Sequence, residues 1–324
     1  MAKVYPLVSV VTATYRHFES LFETMQSVFR QDYPNIEYVI CDDGSDDFPE
    51  EEIRKKIDEL KCENVKNVII LASPENRGTV RNLNNAYKQS HGDYILNLSC
   101  GDVFFSDNTV RRIVRAFLKN KADVVVTSRL AYQNSYEPIC LMPHYSERRI
   151  LETKVNTAEK QYKAFILSMY YNMASGSAMY YSRAVMEKLG YYDEKYRLWE
   201  DGPFLSRYLL QDKLCFAYDI VSIWYQTGGI SSGSASRNPI YQKDIDLFNA
   251  TDRIAHKDRL SASEKRMLAF SLEKGETGGS KAKKIKVALK YLPSCIKYVI
   301  YSMPRKKRIR EDRKYIDALL AKKQ

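Results

Sequence analysis

Three apolar runs in the first hundred residues each end in polar or acidic side chains, and this pattern restricts the chain to few folds. Continuous, β-branched runs of this length are typical of buried parallel strands. Ligands of open α/β sheets bind outside the carboxyl ends of the strands. We therefore expect the polar groups at these ends to form a site and not part of the core. With their polar ends, the three runs span residues 8–15, 39–45 and 94–102.

Strand and helix patterns alternate along the first two thirds of the chain, which predicts a mostly parallel α/β sheet flanked by helices. Pro203 suits the first position of a helix, with Gly202 before it as the cap. The segment 130–175 has no clear pattern apart from a helix near 162–169. The predicted strands are 7–14, 37–41, 68–71, 94–98, 122–127, 178–181, 214–217 and 221–225, and the predicted helices include 15–30, 50–60, 80–89, 108–119 and 183–189.

Charge is unevenly distributed along the 324 residues. The last 44 residues hold 15 Lys and Arg against 3 Asp and Glu, whereas the first 280 hold 36 against 37. The basic character is therefore local, and it gives no reason to expect nucleic-acid binding by the body of the protein. No apolar run reaches the ~18 residues of a membrane-spanning helix, and the N-terminus lacks the apolar region of a signal peptide.

The six cysteines are scattered and contain no Cys-x-x-Cys pair, so the sequence predicts neither a zinc site nor a disulfide framework. A reducing, cytoplasmic location is the expectation.

Five motifs in order resemble those of the family-2 glycosyltransferases, which have the Rossmann-like GT-A fold. The resemblance covers roughly residues 6–232 and implies a nucleotide-sugar donor. We expect a transferase domain over 1–236, a helical extension and linker over 237–280, and a basic helical extension over 281–324. The motifs are Thr-Ala-Thr-Tyr at 12–15, Asp-Asp-Gly-Ser at 42–45, Asn-Arg-Gly at 76–78 with Arg81-Asn82, Gly101-Asp102, and Glu200-Asp201.

By this resemblance, the ends of the first two strands bind the nucleotide. Thr12, Thr14 and Tyr15 would line the base and the ribose. Either Asp42 or Asp43 would accept hydrogen bonds from the base or the ribose. Taken alone, Asp-Asp-Gly-Ser is also typical of a turn that ends a strand.

Arg81 lies at the start of a predicted helix, directly after the Asn-Arg-Gly motif. The resemblance implies that it reaches the base or the diphosphate, and the planar fork of arginine can bridge phosphate oxygens. A solvated arginine on the helix surface is the alternative.

The metal site is where the chain departs from the common family pattern, which places two or three aspartates here. Ser99, Cys100 and Gly101 precede Asp102, so Asp102 alone remains. Mg²⁺ and Mn²⁺ prefer hard oxygen ligands, and one carboxylate can suffice when substrate phosphates supply other ligands. We expect a weak Mg²⁺ or Mn²⁺ site that forms mainly with nucleotide present.

The resemblance makes Asp201 the base that deprotonates the acceptor hydroxyl, with Glu200 orienting the acceptor. A carboxylate at a helix N-terminus is favoured in its ionised form, although an acid at this position is also a common cap. Trp199 either forms a wall against the acceptor sugar or belongs to the core.

The loop around Gly228, Gly229 and Ser231 resembles the family's lid over the nucleotide. Its glycines permit hinge motion, and an ordinary flexible connection is the alternative.

Residues 281–303 combine apolar positions at helical spacing with lysines on the other faces, and Pro293 must kink or divide the helix. A basic amphipathic helix followed by a polybasic run is typical of peripheral binding to an anionic membrane. Docking of the apolar stripe on the catalytic body is the alternative, and nucleic-acid binding is not expected. The apolar positions are Ile285, Ala288, Leu289, Leu292, Ile296, Val299 and Ile300.

Together these observations predict an inverting, metal-dependent transferase. It would move a sugar from a nucleotide diphosphate, with UDP implied by the resemblance, to a lipid-linked or oligosaccharide acceptor in surface polysaccharide synthesis. The alternative is a nucleotide-sugar-binding protein without transfer activity, which the reduction of the metal motif to Asp102 alone supports. A nucleotidyltransferase is disfavoured because no glycine-rich phosphate loop lies near the N-terminus.

Overall fold

A computed structural model describes residues 5–60, 62–133, 136–170, 173–227, 238–278, 280–307 and 309–321. Its first hundred residues alternate strands and helices, as the apolar patterns predict. The strands are β1 (Val8–Thr14), β2 (Ile36–Asp42), β3 (Val65–Ala72) and β4 (Tyr94–Asn97), and the helices are α1 (Leu21–Phe29), α2 (Glu50–Leu60) and α3 (Thr79–Gln89).

These four strands form one parallel half of the sheet in the order β3-β2-β1-β4. Thr14 at the end of β1 lies beside Asp42 at the end of β2. The carboxyl ends of the four strands therefore meet at one edge, and the polar groups that follow them are brought together there as predicted.

The second half of the sheet is mixed. It continues β4-β8-β6-β9-β5, and β7 pairs with β6 at the side. The elements are β5 (Val103–Phe104), α4 (Thr109–Asn120), β6 (Val124–Gln133), β7 (Glu137–Met142), α5 (Tyr145–Lys154), α6 (Ala158–Ile166), β8 (Met179–Ser182), α7 (Arg183–Lys188), α8 (Asp201–Tyr208) and β9 (Cys215–Gln226).

The α/β class and the flanking helices are confirmed, but the prediction of a mostly parallel sheet needs correction. Among the described strands, four pairings are parallel and four are antiparallel. β8 runs antiparallel to both of its neighbours, yet all four of its residues are buried. Burial on both faces gives a strand the same apolar composition in either direction, so the pattern could not reveal its orientation.

Helices cover both faces of the sheet, and alternate residues of one strand therefore enter different cores. Val11 packs with residues of α3, α6 and α8, whereas Val10 packs with residues of α1 and α4. This alternation follows from the period of two in a β-strand. The sheet is thus buried on both sides, and its carboxyl edge remains for ligands.

The C-terminal part is helical: α9 (Pro239–Ala250), α10 (Ala262–Gly275), α11 (Lys281–Lys290), α12 (Leu292–Lys307) and α13 (Ile309–Ala321). Phe248 of α9 and Met267 of α10 belong to the core that covers one face of the sheet. α11 and α12 form a hairpin against α10, and Pro293 lies at the start of α12. The predicted division of the extension at this proline is confirmed.

The last helix returns to the body of the protein. A carboxylate oxygen of buried Asp312 accepts a hydrogen bond from the backbone N–H of Tyr145 (2.8 Å), and the other contacts His144. Ile316 is buried in a small core with Leu130 and Trp224. α13 therefore stabilises the α/β body, although the sequence pattern placed it in a basic extension. Among the described helices, none combines the length and apolar character needed to cross a membrane.

Candidate active site

The predicted nucleotide residues of β1 differ in how far they reach the edge. Thr12 is 0% exposed, and its hydroxyl accepts a hydrogen bond from Tyr38 (3.1 Å) inside the core. Thr14 donates from its hydroxyl to the carbonyl of His17 (3.2 Å), and Tyr15 is exposed. Thr14 and Tyr15 thus lie at the edge, with Thr12 beneath them.

Asp42 and Asp43 have different partners. The Asp42 carboxylate accepts hydrogen bonds from the backbone N–H and from the hydroxyl of Ser45, both at 2.7 Å. The Asp43 carboxylate accepts from the backbone N–H groups of Arg77 and Gly78, both at 2.9 Å. Burial raises the pKa of Asp43, and these two N–H groups oppose the rise. Asp43 therefore joins the Asp-Asp-Gly-Ser and Asn-Arg-Gly motifs.

Arg81 lies on the outer side of α3. Its Nε is 3.5 Å from Oε2 of Glu194, and its side chain is half exposed. Arg81 thus has the position expected of a solvated arginine on the helix surface. To contact a nucleotide, its side chain would have to leave Glu194.

Asp102 follows β4 at the centre of the same edge. Its Oδ1 accepts a hydrogen bond from the backbone N–H of Gln226 (2.9 Å), whereas Oδ2 is buried and has no hydrogen-bond donor among the described residues. Burial raises the pKa of Asp102 to about 7, and the Gln226 N–H and the charge of Arg129 oppose the rise. The arrangement leaves one carboxylate oxygen for a ligand.

Arg129 is a site residue that the sequence analysis missed. It is 9% exposed, donates from Nη1 to the hydroxyl of Ser177 (2.5 Å) and stacks 4.1 Å from the ring centre of Tyr225. Its charge acts on Asp102. A charged residue within the apolar strand run of β6 was the available signal, because buried arginine is rare without a partner.

Asp201 and Glu200 lie at the start of α8, with Glu200 at the N-cap. The helix starts two residues before the predicted position, so Pro203 is its third residue and Gly202 its second. Oδ2 of Asp201 accepts a hydrogen bond from the backbone N–H of Gly176 (2.7 Å). A Cβ atom on Gly176 would lie 2.7 Å from Oε1 of Glu200, so a larger residue here would displace the Glu200 side chain.

The turn at Gly176–Ala178 connects the two predicted catalytic regions. It precedes β8, whose N-terminal residues pair with Leu96 near the carboxyl end of β4 and with Val126 near the start of β6. Gly176 binds Asp201, and Ser177 binds Arg129, whose charge acts on Asp102. Asp102 and Asp201 therefore belong to one site at the carboxyl edge of the sheet.

Asp244 of α9 holds the segment before the two predicted catalytic acids, Glu200 and Asp201. This buried carboxylate accepts hydrogen bonds from the backbone N–H groups of Arg197, Leu198 and Trp199, at 2.6–3.1 Å. The only sequence indication is weak: Asp244 interrupts the apolar face formed by Tyr241 and Phe248.

Removal of Asp244 should therefore reduce turnover more than nucleotide binding. We expect Asp244→Ala to lower kcat at least about tenfold, because a displacement of ~1 Å at a catalytic group can cost about 100-fold. Steady-state kinetics and titration with the predicted nucleotide measure the two effects, and exposed Asp246→Ala on the same helix is the matched control. An unchanged kcat would show that Asp244 does not position the acids.

Trp199 packs on the core. Its ring centre is 5.0 Å from that of Phe248, and a Cβ atom on Gly202 would lie 2.3 Å from the Trp199 ring. Of the two alternatives, these contacts favour the core, although Trp199 retains a partly exposed surface.

Glu200 should make stability depend on pH. Burial, and then the adjacent Asp201 carboxylate, raise the pKa of Glu200 well above its ordinary value of 4.5. The folded state therefore keeps a proton that the unfolded state loses, so stability falls as pH rises from 4.5 towards the raised pKa. We expect Glu200→Gln to melt above the wild type at about pH 8, with the difference vanishing below about pH 4.5. A difference in melting temperature between variant and wild type that stayed constant over this pH range would contradict the raised pKa of Glu200.

The predicted lid residues Gly228, Gly229 and Ser231 lie outside the described residues. Within the described part of the chain, no group of three His, Cys, Asp or Glu side chains could hold a metal ion by itself.

Comparison with known proteins agrees with the motif pattern. The model for Glycosyl transferase family 2 matches residues 9–190, more than half of the chain. An uncharacterised glycosyltransferase of Rickettsia prowazekii is 24% identical over 219 residues, 67% of this chain and 63% of the relative. The chain thus spans less than two thirds of that relative's length. A hyaluronan synthase of Streptococcus pyogenes is 27% identical over 113 residues, 35% of this chain and 27% of the synthase.

Solved structures share the fold. Residues 1–349 of S. aureus TarS, in complex with UDP-GlcNAc, superpose with a TM-score of 0.60 at 17% identity, covering 89% of this chain and 81% of that one. The mannosyltransferase PcManGT of Pyrobaculum calidifontis, in complex with GDP-Man and Mn²⁺, has a TM-score of 0.50 at 14% identity and covers 90% of this chain and 86% of that one.

Proposed function

Because the chain belongs to glycosyl transferase family 2, we propose that it is an inverting glycosyltransferase with a UDP-sugar donor. The observation that carries the proposal is the Gly176–Ala178 turn, which joins Asp201 to the site of Arg129 and Asp102. Transfer from a nucleotide diphosphate needs a base and positive charge near the leaving diphosphate. Asp201 and Arg129 supply these two groups.

In the proposed reaction, Asp201 accepts the proton of the acceptor hydroxyl. The acceptor oxygen forms a bond to the anomeric carbon while the bond from that carbon to the diphosphate oxygen breaks, which inverts the configuration. Asp201 lies in the first turn of α8, and the Gly176 N–H fixes one of its oxygens. Arg129 offsets the negative charge that develops on the departing diphosphate.

A divalent cation fits this site with Asp102 as its protein ligand. Oδ2 of Asp102 is buried without a hydrogen-bond donor among the described residues, and a carboxylate oxygen suits Mg²⁺ or Mn²⁺. The cation would supply further positive charge for the diphosphate, whose oxygens would complete its coordination. PcManGT was solved with Mn²⁺ and GDP-Man, which supports a cation in a fold of this kind.

The donor proposal is supported by the UDP-GlcNAc complex of S. aureus TarS. In calorimetric titrations with UDP, GDP and CDP, with and without Mn²⁺, we expect this protein to bind UDP best and more tightly with the cation. Preference for GDP would change the donor class. Binding of none would favour the alternative of a degenerate site and would remove the main support for the mechanism. UDP binding without transfer to any acceptor would favour the inactive sugar-nucleotide-binding protein.

For the acceptor, we propose a lipid-linked glycan at an anionic membrane, where the protein would act as a peripheral, cytoplasmic-face enzyme of surface polysaccharide synthesis. Most of the predicted apolar stripe of α11 and α12 remains exposed. Instead Val287, Tyr291, Cys295 and Tyr298 pack towards the core. The exposed stripe consists of Ile285, Leu289, Leu292, Ile296, Val299 and Ile300, each 43–69% exposed.

Flotation with anionic vesicles tests the membrane surface. Deletion of 281–324 is unsuitable, because it would remove α13 from the core. Leu289→Gln with Ile296→Gln changes only exposed positions of the stripe, and we expect this variant to lose vesicle binding while it retains UDP binding. Exposed Leu118→Gln with Ile139→Gln, outside the hairpin, is the matched control. Equal flotation of both variants and the wild type would reject the membrane surface.

A further inference from the structure

A cavity lies between α6, α10 and α12, and none of its lining residues belongs to the candidate active site. Its volume is about 380 Å³. The apolar part of its wall comes from Val155, Ala164, Leu167, Met169 and Met267, and its polar part includes Lys154, Lys160, Lys163, Lys297, Tyr170, Tyr301, Ser261, Ser263 and Glu264. The lining thus combines an apolar wall with a cluster of cations.

Three of the four lysines have no carboxylate partner among the described residues. Lys163 is paired with Glu159 and Glu264, at 2.8 and 3.2 Å. Lys160 has a long contact of 3.4 Å to the side-chain oxygen of Asn156, and Lys297 donates to the hydroxyl of Ser263 (3.2 Å). Lys160 and Lys297 thus have neutral partners, and the four lysines of the lining outnumber its one glutamate, so the cavity favours an anion.

The cavity adjoins the exposed apolar stripe on α12. Lys297 and Tyr301 line it and lie four residues apart, on one side of the helix. Ile296 and Ile300 of the exposed stripe directly precede Lys297 and Tyr301 in the sequence. Successive residues of a helix are about 100° apart around its axis, so the stripe and the cavity lie on adjacent sides of α12. A membrane in contact with the stripe therefore places its headgroups beside the cavity, and tyrosine is common at this depth.

We propose that this cavity binds the phosphate group of an anionic lipid, an inference that rests on the membrane surface proposed above. Lysine binds phosphate as a compact charge with several donors. Lys160 and Lys297 contact the phosphate, and the apolar wall receives the part of the lipid next to it. The hairpin thereby recognises a lipid headgroup in addition to surface charge.

The test uses the full chain and vesicles containing either phosphatidic acid, with a terminal phosphate, or phosphatidylserine, at matched surface charge. We expect the wild type to bind the phosphatidic acid vesicles at least about fivefold more tightly, because the cavity adds local contacts to the diffuse attraction. Lys160→Gln with Lys297→Gln should abolish this preference. Lys284→Gln with Lys286→Gln on α11 removes the same charge outside the cavity and should weaken binding to both vesicles equally.

If both double variants bound both kinds of vesicle equally weakly, diffuse charge alone would explain binding, and the proposed site would be overturned. Melting curves with inorganic phosphate and with short-chain phosphatidic acid separate the two phosphate sources. A rise in melting temperature with phosphatidic acid but not with inorganic phosphate, lost in the variant with both Lys160 and Lys297 replaced, would support a lipid ligand. An equal rise with inorganic phosphate would identify free phosphate as the ligand and overturn the lipid proposal.

UDP titration of the same variants keeps this proposal separate from the transfer activity. We expect both double variants to bind UDP as the wild type does. Loss of the lipid preference with UDP binding intact supports the cavity, whatever sugar transfer is measured. A wild type that binds UDP but shows no lipid preference would refute the cavity and leave the transferase proposal standing.

Discussion

Asp201→Asn should reduce sugar transfer by about 1000-fold while nucleotide binding stays close to that of the wild type. Asparagine keeps an oxygen that can accept the Gly176 N–H, so the local structure should persist. It cannot accept the acceptor proton, and a general base contributes roughly 100- to 10,000-fold to such a step. Single-turnover transfer from a UDP-sugar and calorimetric UDP binding measure the two effects separately.

The matched control is Asp212→Asn, which changes an exposed acid just beyond the other end of α8. It should retain wild-type activity. If Asp201→Asn transferred sugar at the wild-type rate, Asp201 would be only a helix cap, the structural alternative that the sequence left open. Loss of both activity and UDP binding would instead indicate a folding defect, which the melting temperature would reveal.

Asp102→Asn should remove the effect of Mn²⁺ on UDP binding. Asparagine can still accept the Gln226 N–H through its oxygen, so the contact with the end of β9 is retained. The buried oxygen offered to a cation loses its charge, and we expect Mn²⁺-dependent affinity to fall by about 100-fold, since even indirect changes around a metal can cost 10- to 100-fold. Calorimetry with and without Mn²⁺ measures this change directly.

Exposed Asp107→Asn, in the turn after β5, is the control for Asp102 and should leave the Mn²⁺ effect unchanged. Because burial raises the pKa of Asp102 to about 7, its ionised form is unfavourable in the free protein. The Asp102→Asn variant should therefore melt no lower than the wild type. An undiminished Mn²⁺ effect in this variant would exclude Asp102 as the ligand and leave Arg129 as the main charge opposite the diphosphate.

Residues adjacent in sequence were predicted well, because local patterns place them. The end of β2 and the acids after it could be located since an apolar run and a turn motif lie side by side in the chain. The different uses of Asp42 and Asp43 could not be predicted, because Asp43 binds backbone groups 34 and 35 residues further on. The parallel first half of the sheet followed from alternation, whereas the direction of β8 did not.

The sequence by itself determined the α/β class and the edge at which the polar groups gather, among them the acids Asp102 and Asp201 predicted for the site, because each depends on a short apolar run and its neighbours. Only the tertiary structure decided which distant groups meet these acids. Arg129 approaches Asp102 through strand pairing, Gly176 reaches Asp201 across 25 residues, and Asp244 holds the segment 197–199 from a separate helix. Such contacts depend on the packing of whole elements, which local periodicity does not encode.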